Sequence, residues 1–282
     1  MRLDFRILPR KTTDVSRLGS LSRIEKFCIF AHMTTLAKEI EETLIDMRDD
    51  RQREIALRFF KTGHGQYGEG DQFLGIKNPN VRIVVKEAWK STSIEEVTKL
   101  VKSQWHEVRL CGLLILVKKM EKAVKLKDDA QMRRIFQLYL SLHSYVNNWD
   151  LVDLSSITIA GEWEKAHPEE EILDEWITDE RSTLWQRRIA MVSTWRLVRV
   201  EQYDKLKRRA EVLIQSKEEL LHKAAGWMLR EMGKNGGMYE LRDFLTTHAP
   251  LMPSVMLRYA IEKMPEDERQ AWLKRRRLDA KP

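Results

Sequence analysis

The chain has 282 residues, 43% hydrophobic and 33% charged, with only 12 Gly and 7 Pro, which allows a large core and argues against an all-β or loop-rich protein. Lys and Arg outnumber Asp and Glu by 50 to 43, giving a net charge of +7 and a pI near 9.3, a balance that favours a polyanionic partner. Two cysteines, Cys28 and Cys111, exclude a disulfide framework, and no apolar run reaches the roughly 20 residues that span a bilayer.

Residues 1–32 mix Arg, Lys, Ser and Thr without sustained period, so they are expected to form a poorly ordered arm with one apolar patch, Phe27-Cys28-Ile29-Phe30. They lack the apolar core and cleavage site of a secretory signal. Met33 reads as a candidate initiator, which would make 1–32 a misassigned extension, and the domain proper is expected over 33–282. Thr34 or Thr35 can cap a first helix carrying Leu36, Ile40, Leu44 and Met47 on one face. A second helix is expected from about Arg51 to Lys61. The glycine cluster Thr62–Asp71 lacks the strand-before, helix-after setting of a dinucleotide loop. It reads as an ordered connection between helices, or as a loop touching a ligand backbone. Asn78-Pro79 then opens a helix through Val81, Val84, Val85 and Ala88.

From Trp105 onward amphipathic segments alternate, an apolar one with a more polar one, in pairs of about 35–45 residues, the spacing of HEAT-like units. The apolar members begin at Trp105, Trp149, Leu184, Leu221 and Met252, and the third is expected to run on through Trp195. The polar members are Gln131–His143, Glu169–Ile177, Glu201–Ile214 and Met238–His248. This pattern predicts an all-α, superhelical stack of helical hairpins with a concave basic face. The basic run Lys274-Arg275-Arg276-Arg277 reads as a solvated helix end, or as a contact to phosphate.

Trp149 and Asp153 are four residues apart and share a helix face. A carboxylate on a face otherwise apolar needs a partner or a task. Arg188 and Trp227 stand near equivalent turns of later apolar helices, so the repeat register could bring all four into one cleft. Each also has a structural reading: the tryptophans as core, Asp153 and Arg188 as an ion pair. Together they suit one chemistry. Indole faces attract cations, a carboxylate stabilises developing positive charge, and Arg matches phosphate. A cationic base on a polyanionic backbone, leaving through an oxocarbenium-like state, would use all three; an N-alkylated purine in DNA is such a substrate.

The chain also resembles the DNA alkylation repair family of AlkD-like, HEAT-repeat DNA glycosylases. The likeness is carried by Tyr67-Gly68-Glu69-Gly70-Asp71-Gln72-Phe73-Leu74-Gly75-Ile76, Trp149-Asp150-Leu151-Val152-Asp153, Leu184-Trp185-Gln186-Arg187-Arg188-Ile189-Ala190 and Lys223-Ala224-Ala225-Gly226-Trp227-Met228-Leu229-Arg230-Glu231, in order, across about residues 33 to 275. The resemblance implies that Asp153 is the catalytic carboxylate, that Trp149 and Trp227 hold the damaged nucleotide, and that Arg188 contacts the DNA backbone. Tyr67 and Arg230 fall on further DNA-facing positions. It implies release of 3-methyladenine and 7-methylguanine from double-stranded DNA, with no cofactor and no metal, by a monomer in the cytoplasm, at the bacterial nucleoid. Asn148 departs from the pattern, since an aromatic residue is expected there in some relatives. The rival reading is a non-catalytic scaffold binding DNA or protein on its concave face. A lysine-based lyase is a third, with no single Lys standing out.

Overall fold

The computed structural model describes residues 35–279, so the expected arm of residues 1–32 and the candidate start at Met33 lie outside the described residues. These form helices throughout, with no strand among them and one isolated bridge between Gln72 and Trp105. In chain order they are α1 (Leu36–Asp46), α2 (Asp50–Phe59), α3 (Asn78–Ala88), α4 (Ile94–Val101), α5 (His106–Leu126), α6 (Asp129–Ser141), α7 (Trp149–Ala166), α8 (Ile172–Thr178), α9 (Leu184–Ser193), α10 (Trp195–Val198), α11 (Asp204–Ile214), α12 (Glu219–Lys234), α13 (Met238–His248), α14 (Ser254–Ala260) and α15 (Glu266–Asp279).

The apolar helices α5, α7, α9, α12 and α14 pack side by side in sequence order, while α6, α8, α11 and α13 flank them. This is an all-α stack of HEAT-like helical hairpins. Every residue from His106 to Val117 is buried, as expected of a helix that is apolar all round and packed on several sides. Neighbouring helices touch where side chains are absent. A Cβ added at Gly161 of α7 would lie 2.6 Å from the Ser193 carbonyl oxygen at the end of α9.

Several expected boundaries move, each for a local reason. Thr35 caps α1 by accepting from Lys38 N at 3.4 Å. Ser93 and Glu96 form a capping box that starts α4, a helix the periodicity does not single out. The polar helix expected from Glu169 starts at Ile172, because Pro168 to Glu171 make a turn after α7. The one expected from Glu201 starts at Asp204, because Glu201 is left-handed with φ 57°. The helix through Trp195 breaks at Thr194, whose hydroxyl bonds back to the Met191 carbonyl at 2.7 Å. The basic tail is docked: Arg275 Nη2 donates to Thr246 O at 2.8 Å and Arg276 Nε to Met252 O at 2.6 Å.

Helix α2 stands apart from this packing. None of its residues is buried, and Ile55 and Phe59 are exposed. It is held by its flanks, where Gly75, at φ +85°, lets the chain pass so close that a Cβ would lie 2.2 Å from Asp49 O.

Candidate active site at the start of the inner helices

Helix α7 begins at Asn148, whose side-chain oxygen accepts from Trp149 N at 2.9 Å while its amide nitrogen donates to Asp71 Oδ2 at 3.0 Å. Asn148 is fully buried, so the position expected to hold an aromatic in some relatives is here the knot that ties the glycine loop to α7. One turn further in, Asp153 meets Arg188 of α9 in a bidentate pair: Nε donates to Oδ1 at 3.0 Å and Nη2 to Oδ2 at 2.8 Å. Arg188 Nη1 donates to Leu220 O, in the first turn of α12, at 2.6 Å. Arg188 thus ties three inner helices together. Its side chain is 6% exposed and that of Asp153 16%, so the pair opens to solvent on the carboxylate side. Burial pushes the Asp153 carboxyl above its ordinary value, Arg188 opposes the rise, and the nearby Asp150 adds to it.

Trp149 is half-buried and ends a column of rings. It stacks on Phe60 at 5.3 Å and 25°, Phe60 on Phe73 at 4.9 Å, and Phe73 on the imidazole of His106 at 4.3 Å. The exposed Phe59 meets Trp149 edge-on at 5.7 Å. Beside the column lies a cavity of about 190 Å³, walled by Phe59, Phe60, Phe73, His106, Glu107 and Asp150 among others.

Beneath the rings lies a buried charge network. His106 Nδ1 is 2.8 Å from Asp71 Oδ2, and its Nε2 is 2.9 Å from Asp150 Oδ2. With a carboxylate on each nitrogen, both ring nitrogens are donors. Burial disfavours the imidazolium, but the charge of Asp150 and the hydrogen bonds to Asp150 and Asp71 outweigh it and raise His106 to about 9. Burial alone would raise Asp71; its hydrogen bond to His106 and the charges of His106 and Arg109 hold it at about 2 instead. Arg109 Nη2 donates to Asp71 Oδ1 at 2.5 Å. Glu107 accepts from three successive backbone amides, Leu74 and Gly75 at 2.8 Å and Ile76 at 3.0 Å, which pins the loop that carries Phe73.

The remaining sequence candidates fall differently. Tyr67 is half-buried and packs edge-on against Trp185 in the first turn of α9, at 6.2 Å, so the glycine loop reaches the same end of the inner helices. Trp227 is half-buried on α12, against the core, seven residues past Leu220 and so about 10 Å along the same face. Among the described residues it shows no ring contact to Trp149. Arg230 faces elsewhere: its Nη1 pairs with Glu262 and its Nη2 with Glu231 at 3.2 Å. The structure therefore pairs Asp153 with Arg188, places Trp149 one turn earlier on α7 against Phe59 and Phe60, sets Tyr67 against Trp185 and Trp227 further along the stack, and engages Arg230 with two carboxylates.

Asp71, His106 and Asp150 are the residues that sequence reasoning misses. Asp71 and Asp150 stand inside quoted motifs and His106 follows Trp105 at the start of an apolar segment, yet a lone His or Asp has no period. The usable signal was the density of polar residues, His106, Glu107 and Arg109, at the head of an otherwise apolar helix. Among the described residues, no three His, Cys, Asp or Glu side chains group as metal ligands, and no helix is long and apolar enough to cross a membrane. Chemically, the arrangement offers a fixed carboxylate facing solvent, an indole one turn away, and a guanidinium behind them.

Comparison with known proteins bears on the family and the fold. A family model described as DNA alkylation repair enzyme matches residues 40–264, most of the chain. No curated protein matches. Among solved structures, one from Enterococcus faecalis, described as a predicted DNA alkylation repair enzyme, is similar in fold with a TM-score of 0.58. It is 17% identical in sequence, and the match covers 78% of this chain and 97% of that one. With the family matched along the helices that build the site, this chain belongs to the DNA alkylation repair enzyme family.

Proposed function

We propose that the protein is a monofunctional DNA glycosylase that releases cationic N3- and N7-alkylated purines, of the 3-methyladenine and 7-methylguanine type, from double-stranded DNA. The observation that carries this reading is Asp153: a carboxylate fixed by Arg188, open to solvent on one side, with its proton affinity raised and an indole one turn away. The substrate base is already cationic and departs neutral, so the reaction needs little acid catalysis. The carboxylate stabilises the oxocarbenium-like sugar and orients the water that adds to C1′; the proton that water loses passes to solvent. Trp149 and Trp227 would hold the damaged nucleotide through their faces. Arg188 orients the carboxylate and keeps one N–H on each of Nη1 and Nη2 for a phosphate. Tyr67 would line the DNA-facing edge, and Arg230 would reach a phosphate only by leaving Glu262. The reading needs no cofactor or metal, and has the protein acting as a monomer along a basic concave face, in the cytoplasm.

The test is release of methylated purines from methylated duplex DNA by the parent and by Asp153→Asn. Release should fall by about 100-fold or more in the variant, the order of loss when one preorganised electrostatic contact is removed. Equal release by the two would sink the assigned mechanism. A buried bidentate pair is also what a non-catalytic scaffold would keep as a strut. That second reading predicts DNA binding by the parent with no release at all.

A further inference from the structure

Six charged side chains form one file across the start of the inner helices: Arg109, Asp71, His106, Asp150, Asp153 and Arg188. With His106 as the imidazolium the file is neutral, and its signs alternate except at one step. That step is Asp150 beside Asp153, three residues apart on α7 and therefore neighbours on its surface. Like charges placed together are costly and tend to mark places where a proton affinity is being set. Hydrogen bonding does not account for Asp150 being there. Its Oδ2 accepts from His106 Nε2, but its Oδ1 is buried with no hydrogen-bond partner among the described residues. A buried carboxylate oxygen left so is uncommon and calls for an explanation.

We propose that Asp150 is a positioning residue for Asp153: its charge, fixed in place by His106, offsets the grip of Arg188 on the Asp153 carboxylate. A guanidinium bound to both oxygens makes a carboxylate a weaker base, whereas a carboxylate that orients water and faces a sugar cation gains from being a stronger one. Burial of Asp153 acts in the same sense as Asp150. The other groups facing Asp153 from the helices packed on α7 leave this role to Asp150. Tyr139 of α6 is engaged with Ser155 at 2.8 Å, Arg188 of α9 pulls the opposite way, and Arg196 of α10 is turned to Glu162 at 3.0 Å. His106 of α5 acts on Asp150 itself.

The inference deepens the glycosylase reading and rests on it only for its kinetic arm. The experiment is a carboxyl-¹³C NMR titration of Asp153 in the full chain, without DNA, for the parent and for Asp150→Asn. In the parent the midpoint should lie above the ordinary value of about 3.9. In Asp150→Asn it should drop, the effect of losing an adjacent like charge. The acid limb of methylpurine release against pH should move with it. A midpoint unchanged by the substitution overturns the proposal. So does a parent midpoint below about 3.9, which can be read even if the variant does not fold. If the titration shifts as expected while neither protein releases base, the electrostatic role stands and the glycosylase reading falls.

Discussion

Helix α7 carries a buried charge cluster at each end, and the two are built to opposite rules. Near its C-terminal end, Glu164 and Arg209 are 2% and 1% exposed and close directly on each other. All three guanidinium nitrogens of Arg209 have acceptors, on Asp174, Ala190 and Glu164, and Lys205 sits within 3.5 Å of both acids. The N-terminal cluster runs through a histidine, leaves Asp150 Oδ1 without a partner among the described residues, and reaches a carboxylate that is partly open to solvent, one turn from an indole. A cluster that is closed and satisfied is a brace. One that is open, titratable and incompletely satisfied keeps free energy available for something outside itself.

Breaking the brace should give the largest change in stability. Arg209→Met leaves the buried Glu164 and the half-buried Asp174 with only Lys205 between them, and should cost about 3 kcal/mol, the low end for splitting a buried pair. Differential scanning calorimetry should show a Tm lower by roughly 10 °C. Base release per folded molecule should be unchanged, and a parallel loss would show that the two ends are not separate.

The second effect is one of pH and belongs to the N-terminal cluster alone. His106 has its folded value raised above its ordinary 6.5 to about 9. Its contribution to stability is therefore complete below about 6.5 and is lost as pH rises through about 9. Between pH 7 and 10 the parent's Tm should fall by several degrees more than that of His106→Gln. Equal slopes would place the alkaline sensitivity elsewhere.

The smallest effect concerns the exposed rim. Trp149→Leu removes the stack on Phe60 and should cost about 1 kcal/mol of stability. It should also weaken the preference for methylated over unmethylated duplex by a few-fold, the scale of a partly solvated cation–π contact. Trp149→Phe should restore most of both. An unchanged preference in Trp149→Leu would confine that indole to packing.

The hairpin stack is legible because its inner helices repeat an apolar face at helical spacing; repeat register brings Asp153 and Arg188 to neighbouring helices, and their pairing is the structural alternative that the sequence offers for both. Helix α4 escapes the periodicity because it is short, although Ser93-x-x-Glu96 marks its start. Asp71, His106 and Asp150 are not legible as a group, since Asp71 and Asp150 lie 35 and 44 residues from His106 and meet it only through tertiary packing. Arg230 shows the converse: a motif places it correctly in the chain, but only the packed structure reveals that Glu262 already holds it.

Gly161 gives the site an unexpected guardian. It lies eight residues beyond Asp153 on α7, about 12 Å along the helix, where the Ser193 carbonyl of α9 rests almost on bare backbone. The two helices act as a caliper whose jaws close there and whose measured gap is the one between Asp153 and Arg188. A single methyl group at Gly161 would be a shim at the hinge, swinging the guanidinium out of the plane of its carboxylate. A hydrogen atom about 12 Å from Asp153 thereby sets the alignment on which the proposed chemistry depends.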